Sequence, residues 1–121
     1  MINFDCFERA ACTRADKAVI VTLINMFVAL SEKARRDGLP SLEDEREAIS
    51  DKRIGLILGL AIDGFPPADI RAIGETAIAS SGYTGIELLA SMVALEGCVS
   101  LASGDMPSLT VRKLAPYLGK D

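Results

Sequence analysis

Leu30–Glu45, LSEKARRDGLPSLEDE, writes a helix end, a break and a new helix start in one run. Lys33, Arg35 and Arg36 put positive charge at the negative end of the incoming helix dipole, and Gly38 has the backbone freedom to close that helix. Pro40 lacks an N–H and forbids simple continuation. Ser41 then reads as the N-cap of a second helix, with Asp44 three residues on in a weak capping-box arrangement and Glu43, Asp44 and Glu45 in the electropositive first turn. The outcome is a tight elbow, basic on one side and acidic on the other. Taken as surface chemistry alone it is a solvated helix corner, since exposed charge pairs contribute little energy.

Upstream of the elbow, Ala18–Leu30 is apolar except for Thr22 and Asn25, which share a narrow face. The pattern predicts a nearly surrounded, central helix, capped at Asp16. A membrane span needs about 20 apolar residues, and this run is bordered by Asp16, Lys17, Glu32 and Lys33, so no transmembrane segment is expected. Residues 1–15 read as a loosely specified lead-in, one helical turn returning Phe4 and Phe7 to the core.

Downstream, Leu42–Ile49 reads as a short acidic helix, and Asp51 as the cap of a third over Lys52–Ile62 with Ile54, Ile57, Leu58 and Ala61 on one face. Gly55 and Gly59 leave room there for another helix. Asp63-Gly64 ends it, and Phe65-Pro66-Pro67 connects to a helix from Pro67 to about Ser80 with Ile70, Ile73, Ala77 and Ile78 inward. Ser80-Ser81-Gly82 is a loop. Thr84 and Glu87 form a capping box opening a long helix to Ala102, with Gly104 as its stop, and the last helix carries Leu109, Val111, Leu114 and Leu118 past a bend at Pro116. The fold class expected is all-α, a compact bundle of about five or six helices in one domain over residues 1–121.

Composition agrees. The chain has 121 residues, half of them apolar but only 5% aromatic and none Trp, so Ile, Leu, Val, Ala and Met must build the core. A formal charge of −4 gives no basic footprint, which disfavours nucleic acid as a partner. The N-terminus lacks a basic region leading into an apolar secretory core, so a soluble, cytoplasmic protein is expected. Cys6, Cys12 and Cys98 lack CxxC spacing and there is no histidine, so no metal or other cofactor is expected and the cysteines read as buried thiols.

Without histidine, and without a recognisable pair of catalytic carboxylates, the sequence gives no support to an enzyme. Neither a GxGxxG motif nor a lysine-containing phosphate loop is present. Glu87 is explained by its capping box. Glu96 interrupts an apolar run and must find either solvent or a cation, because burying a bare carboxylate is costly.

Three segments in order resemble the cytoplasmic parts of the MotA-type flagellar stator subunits, within the MotA, TolQ and ExbB proton-channel family. They are SEKARRDGLPSLEDE over Ser31–Glu45, LAIDGFPPADIRAIGETAI over Leu60–Ile78, and LEGCVSLASGDMPSLTVRKLAPYL over Leu95–Leu118. In that family two membrane helices precede the first segment and two separate the second from the third; here only residues 79–94 bridge the latter pair. The resemblance therefore implies no ion conduction. It does imply contact with the rotor protein FliG, since Arg35 and Glu43 fall at the family's rotor-facing charges, and Arg36 and Glu45 extend the partner-binding set. Met106 stands where the family usually has a polar residue before the proline.

The expectation is a MotA-like protein-interaction module docking to the flagellar rotor or to stator subunits by charged surfaces. Its rivals are an unrelated helical adaptor or regulator and, less favoured, a small-molecule-binding bundle. Because Ala18–Leu30 is apolar nearly all round, the chain is also expected to be at least dimeric.

Overall fold

The computed structural model describes residues 16–119, which form helices and turns with no strand among the described residues. Helix α1 spans Lys17–Asp37, a 3₁₀ turn Leu39–Leu42, α2 Glu43–Ala48, α3 Lys52–Ile62, α4 Pro67–Ala79, α5 Gly85–Ala102 and α6 Pro107–Leu114, and a second 3₁₀ turn closes at Ala115–Leu118. The protein is the all-α bundle expected. The lead-in with Phe4 and Phe7, together with Cys6 and Cys12, lies outside the described residues; Cys98 is a buried free thiol whose burial pushes its pKa far up.

The centre of the bundle is α5, not α1. Helices α1, α3, α4 and α6 all pack on α5, which buries Leu88, Met92, Val93, Leu95 and Cys98 on different sides. By contrast α1 buries one stripe, Ile20, Ile24, Phe27, Leu30 and Ser31, and leaves Val19 and Val21 outside. The reason is packing room: α5 carries small residues such as Ala94 and Gly97 among its large ones, so neighbours approach it from several directions. Helix α5 is also long and apolar enough to cross a membrane, with a mean hydropathy of 1.6, a property that bundle-core helices share; 67% of it is buried here.

Close approach depends on glycines other than those expected. A Cβ on Gly97 would lie 2.5 Å from Cδ1 of Phe27, and one on Gly74 would collide with Leu95, so α1 and α4 both meet α5 across a glycine. Gly55 has nothing nearby, while Gly59 makes room for the Arg46 side chain and not for a helix. Gly74 takes the inward place expected of Ile73, which is 44% exposed.

One turn is used twice. After α3, Phe65 N–H reaches Leu60 O at 3.2 Å and Gly64 N–H reaches Ala61 O at 3.1 Å; after α5, Asp105 N–H reaches Ser100 O at 3.2 Å and Gly104 N–H reaches Leu101 O at 3.1 Å. Both are Schellman closures, and the positive φ of Gly64 (85°) and Gly104 (73°) is what they require. A proline opens the following helix each time, and the first residue that helix buries is Ile70 in one case and Thr110 in the other.

Caps are more varied than their sequence signals. Asp51 caps α3 as expected, accepting from Arg53 and Ile54 N–H at 2.9 and 3.3 Å. Neither Asp16 nor Thr84 makes a side-chain cap bond. Glu87 is therefore not held in a capping box, and it stays exposed.

Candidate functional site

Helix α1 ends where Gly38, at φ +88°, donates its N–H to Ala34 O at 2.8 Å. Ser41 does not cap α2: its hydroxyl donates to Gly38 O at 2.6 Å, inside the intervening 3₁₀ turn, and so it cannot face the N–H groups of the next helix. Leu42 buries its side chain and anchors the turn, leaving Glu43, Asp44 and Glu45 in the first turn of α2. The elbow is thus built from a glycine closure, a proline-containing 3₁₀ turn and one apolar anchor.

Each of the four candidate residues goes to a different partner. Glu45 crosses the elbow to Lys33, Oε1 to Nζ at 2.5 Å, with both side chains about a third exposed. The Lys33 hydrogen bond, helped by Glu45's own backbone N–H, holds the Glu45 carboxyl below its ordinary value of 4.5. Glu43 pairs with Arg46 at 2.7 Å, and Arg46 Nε donates to Gly55 O at 3.1 Å, fastening α2 to α3. Arg35 Nη1 donates to Gly104 O at 3.0 Å, reaching the end of α5. Arg36 pairs with its neighbour Asp37 at 3.2 Å, and its side chain is 67% exposed.

A depressed carboxylate pKa favours the folded elbow above the unfolded value and stops doing so as pH falls through the folded one. Glu45 is therefore expected to titrate below 4.5, followed by carbon NMR, and Lys33→Met to return its midpoint toward 4.5. An unchanged midpoint in that variant would remove Lys33 as the cause.

Beside Arg35 lies a cleft of about 380 Å³, with Ala34, Leu39, Leu101 and Ala102 as its apolar lining and Ser31, Gly104 and Asp105 as its polar edge. A guanidinium carries five N–H donors, and the Gly104 carbonyl takes one of Arg35's. The elbow's outer surface thus presents cationic Arg35 and Arg36 on the α1 side and the Glu43 carboxylate, 44% exposed, on the α2 side. Lys33 and Glu45 hold the corner together between them.

One polar cluster was not foreseen, and a second realises the cation alternative left open for Glu96. Asp105 Oδ2 accepts from Ser100 Oγ at 2.8 Å and Lys113 Nζ at 2.5 Å, its backbone oxygen accepts from Ser31 Oγ at 3.0 Å, and Ser100 shares a 2.9 Å bond with buried Thr110. This knot joins α1, α5 and α6 next to the Arg35 cleft. One turn earlier on α5, Glu96 pairs with Arg71 of α4 at 2.8 Å. Tyr117 is pushed up to about 12, by burial first and by the Glu96 charge second. Among the described residues no group of three or more Cys, Asp or Glu is placed to hold a metal ion.

The chain is 45% identical to motility protein A of Borreliella burgdorferi over 53 residues, which are 44% of this chain and 20% of that protein. It is 41% identical to the YtxD protein of Bacillus subtilis over 58 residues, 48% of this chain and 21% of the relative. The chain spans about a fifth of the length of these curated relatives. No family model matches it, and no solved structure matches it. Its likeness to MotA is thus a likeness over part of each chain.

Proposed function

We propose that this protein is a MotA-like interaction module of the flagellar motor, which docks by the charged outer surface of its elbow to the rotor protein FliG or to stator subunits. The partial identity with motility protein A carries this reading. The elbow's geometry supports it: Glu45 and Lys33 are consumed in closing the corner, whereas Arg35, Arg36 and Glu43 stand on its outer side with hydrogen-bonding capacity to spare. Docking would be guided by charge, which sets encounter rate and partner choice more than affinity. The 380 Å³ cleft beside Arg35 adds an apolar socket next to a cation, a combination suited to a partner surface that offers an aliphatic side chain beside a carboxylate.

Titration calorimetry of the full chain against FliG, and separately against a stator cytoplasmic fragment, tests this. Binding that weakens from low to moderate salt is expected for one of them. No heat with either partner at low salt would overturn the proposal and favour the unrelated helical adaptor. A small-molecule-binding bundle would need a deep polar site around Glu96; Glu96 instead pairs with Arg71 and does not line the Arg35 cleft.

A further inference from the structure

The two glycine turns differ at one equivalent position. In the turn after α5 that position is Asp105, 11% exposed and bound to Ser100 and Lys113; in the turn after α3 it is Phe65, 45% exposed. The Asp105 turn shows that this closure needs no apolar residue, so the outward part of the Phe65 ring is not required to close its own. Phe65 is the one exposed aromatic side chain among the described residues. Its backbone is held by the bond from its N–H to Leu60 O, by Gly64 before it and by Pro66 and Pro67 after it. Exposed carboxylates flank it in the chain, Asp63 at the end of α3 and Asp69 in the first turn of α4. Among the described residues neither carboxylate has a hydrogen-bond or ion-pair partner.

The Arg35 cleft has the opposite character. A benzene ring fits an apolar cavity of about 150 Å³, so a cleft of about 380 Å³ with an apolar lining admits the Phe65 ring and the Pro66 beside it. The one carboxylate in the lining, Asp105, is neutralised by Lys113. Arg35 is exposed, donates to the neutral Gly104 carbonyl and pairs with no carboxylate among the described residues. Phe65 does not line the cleft of its own chain.

We propose that the occupant of this cleft is the α3–α4 turn of a second copy, with the Phe65 ring on the apolar lining and Asp63 and Asp69 facing Arg35. Charge complementarity selects this pairing: cleft against cleft would oppose two guanidinium groups, and turn against turn would oppose carboxylates. A turn already fixed by its glycine closure and prolines loses little freedom when it is covered. Because the two surfaces are different, copies join head to tail. The contact needs no rotor protein and does not rest on the docking reading, although both use Arg35.

Sedimentation velocity of the full chain alone, at tens of micromolar, tests it. The wild-type chain is expected to self-associate. Phe65→Ser, which leaves the elbow untouched, is expected to weaken association at least about tenfold, and Asp63→Lys several-fold at low salt. Circular dichroism and a thermal melt check that both variants keep the fold. Arg35→Glu is expected to be as defective as Phe65→Ser, yet an equimolar mixture of these two variants is expected to form a one-to-one dimer, since each supplies the surface that the other has lost. A monomeric wild type, association indifferent to Phe65→Ser, or a mixture that stays monomeric would overturn the proposal. With FliG absent, none of these results bears on rotor docking, which the calorimetry tests separately.

Discussion

Gly97→Ala is expected to destabilise the fold by about 1–3 kcal/mol, although alanine is the better helix former by roughly 1 kcal/mol. The new methyl would stand 2.5 and 2.6 Å from Cδ1 and Cγ of Phe27, a ring with no exposed surface. Those are the inner atoms of a rigid side chain, not the tip of a flexible one, so relief requires α1 to move off α5. The same change at Gly55 on α3 meets nothing within 4 Å. There only helix propensity acts, and a gain of up to about 1 kcal/mol is expected. Urea denaturation of the two variants should therefore give opposite signs. A stabilised Gly97→Ala would mean that α1 does not sit on α5 as described.

Asp105→Ala should cost a similar or larger amount, about 2–4 kcal/mol. Asp105 is 11% exposed and receives both the Lys113 ammonium and the Ser100 hydroxyl, and without it the lysine loses its counter-ion while Ser100 keeps only Thr110. The lysine is about a third exposed and regains part of its hydration, which keeps the cost below that of a fully buried pair. Asp105→Asn, which retains an oxygen for Ser100, should lose less. A double-mutant cycle with Lys113→Met isolates the ionic part, and a coupling near zero would show that the knot is held by its neutral hydrogen bonds alone. Because the knot also fixes Ser31 and the Gly104 turn, the alanine variant should loosen the seat of Arg35.

The sequence signals worked where one local cause decides the structure. Lys52–Ile62 was readable to both ends because Asp51 has free N–H groups ahead of it and Asp63-Gly64 can close only one way. Ser41 and Thr84 carry the same capping letters and do not cap, since a hydroxyl used inside a 3₁₀ turn, or a chain entering through Gly85 at φ +58°, points elsewhere. Which helix is central was not legible from hydropathy: Ala18–Leu30 and Gly85–Ala102 are both apolar on most sides, and only the positions of Gly74 and Gly97 against Leu95 and Phe27 decide it.

At the elbow the charges were legible and their partners only partly so. Lys33 and Glu45 lie within one turn-and-return of the chain, and Glu43 reaches Arg46 within its own helix. The hydrogen bond from Arg35 to Gly104 spans 69 residues, and the Arg71 that neutralises Glu96 lies 25 residues away, separations that no local pattern encodes. The Asp105 knot was hidden for the same reason, although a Ser, an Asp, a Thr and a Lys within a short span around a glycine-proline turn was its available signal.

The most direct test of docking through the elbow is the double reversal Arg35→Glu/Glu43→Lys, measured by titration calorimetry against FliG or the stator fragment at two salt concentrations, with a thermal melt alongside. Arg35 is exposed and the Glu43 side chain is 44% exposed in a surface pair, so folding should change by roughly 0–1 kcal/mol. The account predicts weakened binding with a smaller salt dependence, and a melting temperature close to the wild type. Unchanged affinity in the double variant, or a melting temperature lowered by each single reversal and restored by the pair, would contradict it and leave Arg35 and Glu43 as structural charges.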